Sequence, residues 1–186
     1  MRKRYFVSLY LLLLVVTLLA GCGNQPAPGH RDQGTAPPEG VEVGDRAPDF
    51  TLTGVDGARV SLTSLLGKPI MINFWTTLCP YCVEEMHNIQ SFYNSHGHDI
   101  EVLGVNLTNA DQGTAGVKNF LIVNHYTYPI ALDVDGKVGD LYLIRNIPTT
   151  LFIDTHGVIR FKYIGPMSPE TMLEGLAATA ASEPRH

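Results

Sequence analysis

The order of apolar and polar stretches divides the chain into three regions. Residues 5–19 are apolar, follow a cationic start and end in small residues before Cys22. A second region is rich in Pro, Gly, Gln and Ala and offers almost no side chains for a core. The third has the length of one compact domain. The predicted regions are a leader over 1–21, a tether over 22–44 and a domain over 45–182.

Runs of strand length alternate with segments of helical periodicity inside the domain. The turn dipeptide Asp56-Gly57 separates two short extended runs and predicts a β-hairpin. The bulky apolar run 70–75 is typical of a strand covered on both faces of a sheet. Beyond it, Val83, Met86 and Ile89 have approximate helical spacing. The predicted elements are strands 50–53 and 59–61, a helical turn near 62–66, strand 70–75, a helix from the cysteines to about 95–97, strand 100–107, helix 114–124, strand 129–132, helix 137–144, strands 149–154 and 158–164, and helix 168–180.

The order of these elements indicates the fold class. After the hairpin it is β-α-β-α-β, followed by an antiparallel pair of strands and a last helix. Ser168 suits the cap of that helix, and Pro169 suits its first position. The sequence therefore predicts an α/β fold, in which a mixed central β-sheet is flanked by helices and extended by an extra N-terminal β-hairpin.

The leader has the features of an export signal. Its apolar core is shorter than the roughly 20 residues that span a membrane, and small residues follow it. The tetrapeptide Leu19-Ala20-Gly21-Cys22 resembles a bacterial lipobox, which implies cleavage before Cys22 and attachment of lipid to its thiol. Several acyl chains hold a protein stably at a membrane. We therefore expect an extracytoplasmic protein, anchored to the bacterial cell membrane by its lipidated Cys22.

The charge balance excludes one class of partner. The formal net charge is −5, and without the three cations of the leader it becomes about −8. Such an acidic domain is poorly suited to nucleic acid, and it is not attracted to anionic lipid. We therefore expect no nucleic-acid partner, and membrane attachment through the lipid alone.

Cysteine usage points to redox chemistry. The chain has three cysteines, and with Cys22 assigned to lipid only Cys79 and Cys82 remain. Two thiols cannot form a framework of structural disulfides, and exported proteins that keep one close pair typically use it. A closed zinc site would need four ligands, and the sequence has no second cysteine pair. We therefore expect no metal.

The position of the pair indicates how it would react. Both sulfurs lie at the start of a predicted helix, on one face and within disulfide reach. Pro80 suits the first turn, because the N–H that it lacks would have no intrahelical partner there. The free N–H groups and the helix dipole favour the thiolate at Cys79. Cys79 is therefore the predicted nucleophile and Cys82 the resolving thiol, with no cofactor beyond this redox-active disulfide.

Three segments between residues 45 and 180 indicate a family. They are the entry segment 47–52 and two more specific segments, 73–86 around the cysteines and 147–154. These segments resemble the TlpA/ResA-like branch of the thioredoxin superfamily, and the entry segment is also similar to that of peroxiredoxins. The resemblance implies a thioredoxin-like fold and thiol-disulfide oxidoreductase activity.

The resemblance also assigns residues to the substrate site. It implies a cis peptide bond before Pro148, opposite the cysteines, and backbone hydrogen bonds from Ile147 to an extended partner segment. Trp75 would pack beneath the pair, and Pro80 and Tyr81 lie between the two cysteines. A strand-initiating proline and plain core filling are the alternatives for Pro148 and Trp75.

Glu85 is the candidate proton carrier, since it lies three residues beyond Cys82 on the same helical face and the family commonly has glutamate there. A partly buried carboxylate would take up the Cys82 proton, whereas an exposed one would only stabilise an early turn of the helix. The sequence departs from the family at three positions. Leu78 stands in place of a tryptophan, Asn73 in place of the buried aspartate of thioredoxin, and His87 in place of a proline.

The resemblance implies a reductase of disulfides in exported proteins, including the haem-attachment cysteines of apocytochrome c. Its electron donor would be a membrane thiol-disulfide carrier, and we expect a monomer. Two alternatives are open. A thiol peroxidase fits the entry segment and Thr76, although Ile72 stands where a proline is expected. A Sco-type copper chaperone has a wider cysteine spacing and a downstream histidine, and residues 140–148 contain no histidine.

Overall fold

The structure, a computed structural model, describes residues 36–180. The predicted leader, Cys22 and residues 181–186 lie outside the described residues. The elements are β1 (Thr51–Gly54), β2 (Arg59–Ser61), α1 (Leu62–Leu65), β3 (Ile70–Trp75), α2 (Pro80–His96), β4 (Glu101–Asn106), a 3-10 turn (Thr108–Ala110), α3 (Gly113–Val123), β5 (Ile130–Leu132), α4 (Lys137–Leu141), β6 (Thr149–Ile153), β7 (Ile159–Ile164) and α5 (Pro169–Ala180). None of these helices combines the length and apolar character that a membrane crossing requires.

Seven strands form one mixed sheet in the order β2-β1-β5-β4-β3-β6-β7. Strands β3, β4 and β5 are parallel, whereas β1 is antiparallel to β5, and β6 is antiparallel to both of its neighbours. The predicted α/β class, mixed sheet and extra N-terminal hairpin are therefore confirmed. The central strand β3 is buried at every position, in agreement with its unbroken apolar sequence.

The parallel strands bring two loops together at one edge of the sheet. Strands β3 and β4 pair in register, with Trp75 opposite Asn106 at their carboxyl ends. The loop after β3 leads to Cys79 and α2, and the loop after β4 leads through the 3-10 turn to Asp111. Functional sites of open α/β sheets lie at this edge.

Two apolar cores receive side chains from β3. Because side chains alternate along a strand, Ile72 and Phe74 join one core, and Met71 and Trp75 join the other. Helix α2 packs on the core that contains Trp75, and Cys82 is itself part of that core. The redox helix is therefore fixed directly to the sheet.

The helix predicted over 137–144 ends at Leu141. Tyr142 turns into the core, where its hydroxyl donates to the Pro48 carbonyl oxygen at 2.6 Å. Leu143 follows with a φ of 52°. A residue in this left-handed conformation cannot continue a right-handed helix. The prediction of the helix end was therefore wrong by about one turn.

Residues 36–44, which we predicted to belong to the tether, contact the domain. Gly44 donates its backbone N–H to a carbonyl oxygen of β7 at 2.9 Å, and Val41 is buried. The Lys162 ammonium donates to the Val41 carbonyl oxygen at 3.1 Å and to Glu42 Oε1 at 2.7 Å. One buried apolar side chain, backbone hydrogen bonds and contacts with Lys162 hold the segment. A polar, glycine-rich composition does not reveal any of these contacts. The rest of the predicted tether lies outside the described residues.

Candidate active site

Cys79 and Cys82 form a disulfide at the amino end of α2. Cys79 caps the helix, Pro80 is its first residue, and the Cα atoms of the two cysteines are 5.2 Å apart. The Cys82 backbone N–H donates to Cys79 Sγ at 3.1 Å, so this sulfur accepts from a free N–H of the first turn. Cys79 is partly exposed, whereas Cys82 has 1% of its surface exposed. Of the two sulfurs, Cys79 is the one that a partner can reach.

The loop before β6 faces the disulfide. The peptide bond between Ile147 and Pro148 is cis, as the resemblance implied. Cys79 Sγ lies 3.8 Å from the Ile147 carbonyl oxygen. Pro148 is buried, and Ile147 is partly exposed. A partner segment bound at the cysteines would therefore also meet the backbone of Ile147.

Glu85 is buried one turn beyond Cys82, with 1% of its surface exposed. The side-chain amide of Asn73 on β3 donates to Glu85 Oε1 at 3.3 Å and to Thr150 Oγ1 at 2.9 Å. Burial raises the pKa of Glu85 from 4.5 to about 8, and the backbone N–H of Met167 offsets part of this rise. The carboxyl group can therefore gain or lose a proton near neutral pH, while Asn73 holds it in place.

The predicted substrate-binding residues separate into surface and interior positions. Pro80 and Tyr81 are exposed next to the disulfide, Tyr81 with 63% of its surface. Leu78, just before the first cysteine, is exposed as well. Trp75 is fully buried and packs against Phe120, with 5.9 Å between the ring centroids. Trp75 therefore supports the site from the interior and, as placed, has no surface for contact with a substrate.

Sequence reasoning missed a carboxylate next to the loop between β3 and α2. Asp111 accepts hydrogen bonds from the backbone N–H of Thr77, at 2.7 Å, and from the Thr77 hydroxyl. It also accepts from Asn106 Nδ2 and from the backbone N–H of Gln112, each at 2.7 Å. Burial opposes ionisation of Asp111, but these hydrogen bonds outweigh it and lower the pKa. Asp111 lies 34 residues beyond Thr77, so no local spacing could indicate the contact.

The arrangement is suited to dithiol-disulfide exchange. An accessible sulfur lies at the positive end of a helix, a buried sulfur lies next to it, and a carboxyl group that can carry a proton lies one turn further. Such exchange moves two electrons through the sulfur atoms alone. Within residues 36–180, no three His, Cys, Asp or Glu side chains are grouped as metal ligands would be.

Comparisons with known protein sequences agree with this geometry. The sequence model of the AhpC/TSA family matches residues 43–162. The thiol-disulfide oxidoreductase ResA of Bacillus cereus is 33% identical over 167 residues, which cover 89% of this chain and 93% of that protein. The similarity therefore extends over nearly the whole of both proteins.

Solved structures show the same relationship. The crystal structure of StoA from Bacillus subtilis gives a TM-score of 0.63 at 33% identity, covering 69% of this chain and 96% of that one. An exposed lipoprotein thioredoxin of Streptococcus pneumoniae gives a TM-score of 0.64 at 30% identity, covering 70% of this chain and 98% of that one. The chain therefore belongs to the AhpC/TSA family and, within the thioredoxin superfamily, to the thiol-disulfide oxidoreductases related to ResA and StoA.

Proposed function

We propose that this enzyme reduces disulfides in exported proteins, with Cys79 and Cys82 as its redox pair. The proposal is carried by the unequal exposure of the two sulfurs at the amino end of α2. A partner can reach Cys79, while Cys82 is shielded and bonded to the sulfur next to it. In a two-step exchange the accessible thiol attacks the partner disulfide, and its shielded neighbour then resolves the mixed disulfide.

The reduced enzyme acts in two steps. The Cys79 thiolate attacks one sulfur of the substrate disulfide, so that the substrate S–S bond breaks, a mixed disulfide forms and one substrate thiolate leaves. The Cys82 thiolate then attacks Cys79 Sγ, breaks the mixed disulfide and releases the second substrate thiolate. Two electrons and two protons pass to the substrate, and the enzyme is left with the disulfide that the structure contains.

Glu85 is the proposed acceptor for the Cys82 proton in the second step. Cys82 is buried, so bulk water does not reach its thiol. Glu85 lies on the same buried side of α2, and burial raises its pKa to about 8. A carboxyl group that changes its protonation state near neutral pH suits proton transfer in either direction.

We also propose that lipid on Cys22 holds the enzyme at the outer face of the bacterial cell membrane. The lipobox-like tetrapeptide supports this location, as does similarity to a protein described as an exposed lipoprotein. By resemblance to the ResA-like branch, apocytochrome c is one proposed substrate and a membrane thiol-disulfide carrier is the proposed electron donor. The exposed Leu78 and Tyr81 give the surface near Cys79 an apolar character that suits an unfolded partner segment.

Trapping of the mixed disulfide tests the proposal. In Cys82→Ser the second step is absent, so we expect proteins linked to Cys79 to accumulate in cells and to be released by a dithiol reductant. Cys79→Ser is the matched control and should capture none. Capture of the same proteins by the control, or of none by Cys82→Ser, would contradict the proposed roles. Mass spectrometry of the captured proteins then tests apocytochrome c as a substrate.

Three measurements separate the reductase from its alternatives. The Pro-Tyr dipeptide resembles that of glutaredoxins, so we expect a reduction potential of about −200 to −230 mV. A value of about −120 mV, with oxidative refolding activity, would instead indicate an oxidant like DsbA. Rapid oxidation of Cys79 by peroxide in a stopped-flow experiment would favour a thiol peroxidase. Tight copper binding would favour a Sco-type chaperone.

A further inference from the structure

The loop between β3 and the redox helix is bound to a carboxylate of the neighbouring loop. Thr77, two residues before Cys79, donates its backbone N–H to Asp111 Oδ2 at 2.7 Å and its hydroxyl to Asp111 Oδ1. Asn106 Nδ2 donates to Asp111 Oδ2 at 2.7 Å, and the Gln112 side-chain amide donates to the Thr77 hydroxyl oxygen at 3.2 Å. We call Thr77, Asn106, Asp111 and Gln112 the Asp111 clamp.

The Asp111 clamp is attached to rigid parts of the fold. Asn106 ends β4, is fully buried, and accepts at Oδ1 from the Thr108 hydroxyl at 2.9 Å. Leu107 donates its backbone N–H to the Trp75 carbonyl oxygen at 3.0 Å, which joins the two loops at the ends of their strands. The lowered pKa of Asp111 keeps it ionised at neutral pH, and hydrogen bonds to an ionised carboxylate are the stronger kind.

We propose that Asp111 is a positioning residue that holds the Cys79 sulfur in line with the first turn of α2, a role that rests on the proposed function of Cys79 as nucleophile. The clamped loop continues directly into Cys79, whose backbone N–H donates to the Thr76 carbonyl oxygen at 3.4 Å. Its sulfur must stay near the Cys82 N–H, 3.1 Å away, to be stabilised as a thiolate. A loosened clamp lets the sulfur leave that position.

Two possible roles of Asp111, positioning of the loop and its negative charge, predict opposite effects on the ionisation of the Cys79 thiol. If Asp111 acts through position, its removal costs the Cys79 thiolate a hydrogen bond and reduces the thiolate fraction at neutral pH. If Asp111 acted only as a nearby negative charge, its removal would increase the thiolate fraction. The direction of the change therefore identifies the mechanism.

The test uses the full chain in detergent with Cys22→Ser and Cys82→Ser, which leaves Cys79 as its one thiol. In this protein Thr77→Val removes the hydroxyl donor to Asp111, and Thr77→Ser keeps it. We expect Thr77→Val to slow iodoacetamide alkylation at neutral pH by about threefold, and Thr77→Ser to leave the rate unchanged. At alkaline pH, where the thiol is fully ionised, the rates should converge. Simple loss of stability would not produce this pH profile.

Asp111→Asn completes the comparison. We expect it to slow alkylation at least as much as Thr77→Val does, because it weakens every hydrogen bond to the Asp111 carboxylate, whereas Thr77→Val removes only the one from the Thr77 hydroxyl. Adding Thr77→Val to Asp111→Asn should therefore slow alkylation less than Thr77→Val does on its own. Asp135 is exposed, and Asp135→Asn is the matched control, which should leave the alkylation rate unchanged. Faster alkylation in Asp111→Asn, or an unchanged rate in Thr77→Val, overturns the proposal. If circular dichroism shows Thr77→Val to be unfolded, Asp111→Asn carries the test. Because no substrate disulfide is used, failure of the proposed reductase function would be seen separately.

Discussion

Glu85 and Asp111 are carboxyl groups close to the redox pair, and their surroundings shift their pKa values in opposite directions. Burial dominates at Glu85, where Asn73 supplies a single side-chain hydrogen bond. Four donors surround Asp111 and outweigh its partial burial. Glu85 can therefore exchange a proton near neutral pH, while Asp111 stays a fixed anion. At the scale of residues, the number of hydrogen-bond donors separates the two roles.

The raised pKa of Glu85 makes the stability of the oxidised enzyme depend on pH. Between pH 4.5 and about 8 the folded state holds a proton that the unfolded state has released. The contribution of Glu85 to the free energy of unfolding is therefore complete below pH 4.5 and falls as the pH rises towards 8, by at most about 1.4 kcal/mol per pH unit. The glutamine of Glu85→Gln cannot titrate. In urea unfolding, we therefore expect the wild type to lose stability more steeply than Glu85→Gln from about pH 5 to 8.

Glu84→Gln is the matched control for this prediction. Glu84 lies on the exposed side of the same helix, so its replacement should leave the pH dependence of the wild type unchanged. Parallel curves for wild type and Glu85→Gln would show that Glu85 titrates alike in the folded and unfolded states. Its proposed exchange with Cys82 near neutral pH would then lose its basis.

At the scale of elements, local signals predicted the structure well and distant contacts did not enter the prediction. Strand β3 was evident from its apolar run, and the first hairpin from Asp56-Gly57, where Gly57 has a φ of 89°. The end of α4 depends on Tyr142, whose hydroxyl partner lies 94 residues away in sequence. On α2, the apolar spacing favoured Val83, yet the fully buried side includes Glu85 instead. Burial of this carboxyl group depends on β3, which a pattern within one helix cannot reveal.

The residues of the candidate site also differ in whether a local sequence signal or a distant contact reveals them. The cysteine pair and the Ile147-Pro148 dipeptide belong to motifs that can be recognised within one segment, and the structure places the Ile147 carbonyl oxygen 3.8 Å from Cys79 Sγ. Asp111 has no such motif, because its contact with Thr77 arises only when β3 and β4 end at the same edge. Its role becomes visible only in three dimensions.

The contact between α5 and β6 depends on a glycine. A Cβ on Gly175 would lie 2.4 Å from Phe152 Cε2, and the Phe152 ring is fully buried and cannot move aside. Alanine has a higher helix propensity than glycine by about 1 kcal/mol. Despite this gain, we expect Gly175→Ala to lower the free energy of unfolding by about 1–3 kcal/mol. Urea unfolding of both proteins measures the difference.

A second pair of variants supports the explanation for Gly175. In a Phe152→Leu background the side chain is smaller, so adding the methyl group of Gly175→Ala should be less destabilising than in the wild type. An increase in stability on Gly175→Ala in the wild type would mean that α5 and β6 are further apart than the structure shows.

At the scale of the whole molecule, the sheet collects the reactive parts from distant stretches of sequence. Cys79 follows β3, Asp111 follows β4, and Ile147 precedes the antiparallel strand β6. All three loops meet at one edge of the sheet, so the site depends on the pairing of the central strands. The segment 36–44 lies on β7, at the side of the sheet that ends in this strand.

Residues 36–44 should contribute measurably to the stability of the domain. A chain that begins at residue 45 loses the burial of Val41 and the backbone hydrogen bonds of this segment. Compared with a chain that begins at residue 36, we expect its free energy of unfolding to be lower by about 2 kcal/mol. Thermal or urea unfolding of the two chains measures this difference.

A substitution in the ion pair between Glu42 and Lys162 is the control. It shows how much of the stability lost with residues 36–44 comes from charge and how much from packing. The Glu42 side chain is 71% exposed, so Glu42→Gln in the longer chain should change stability by less than about 0.5 kcal/mol. Equal stability of the two chains would mean that residues 36–44 act only as tether. The expected loss means instead that the domain begins before residue 45.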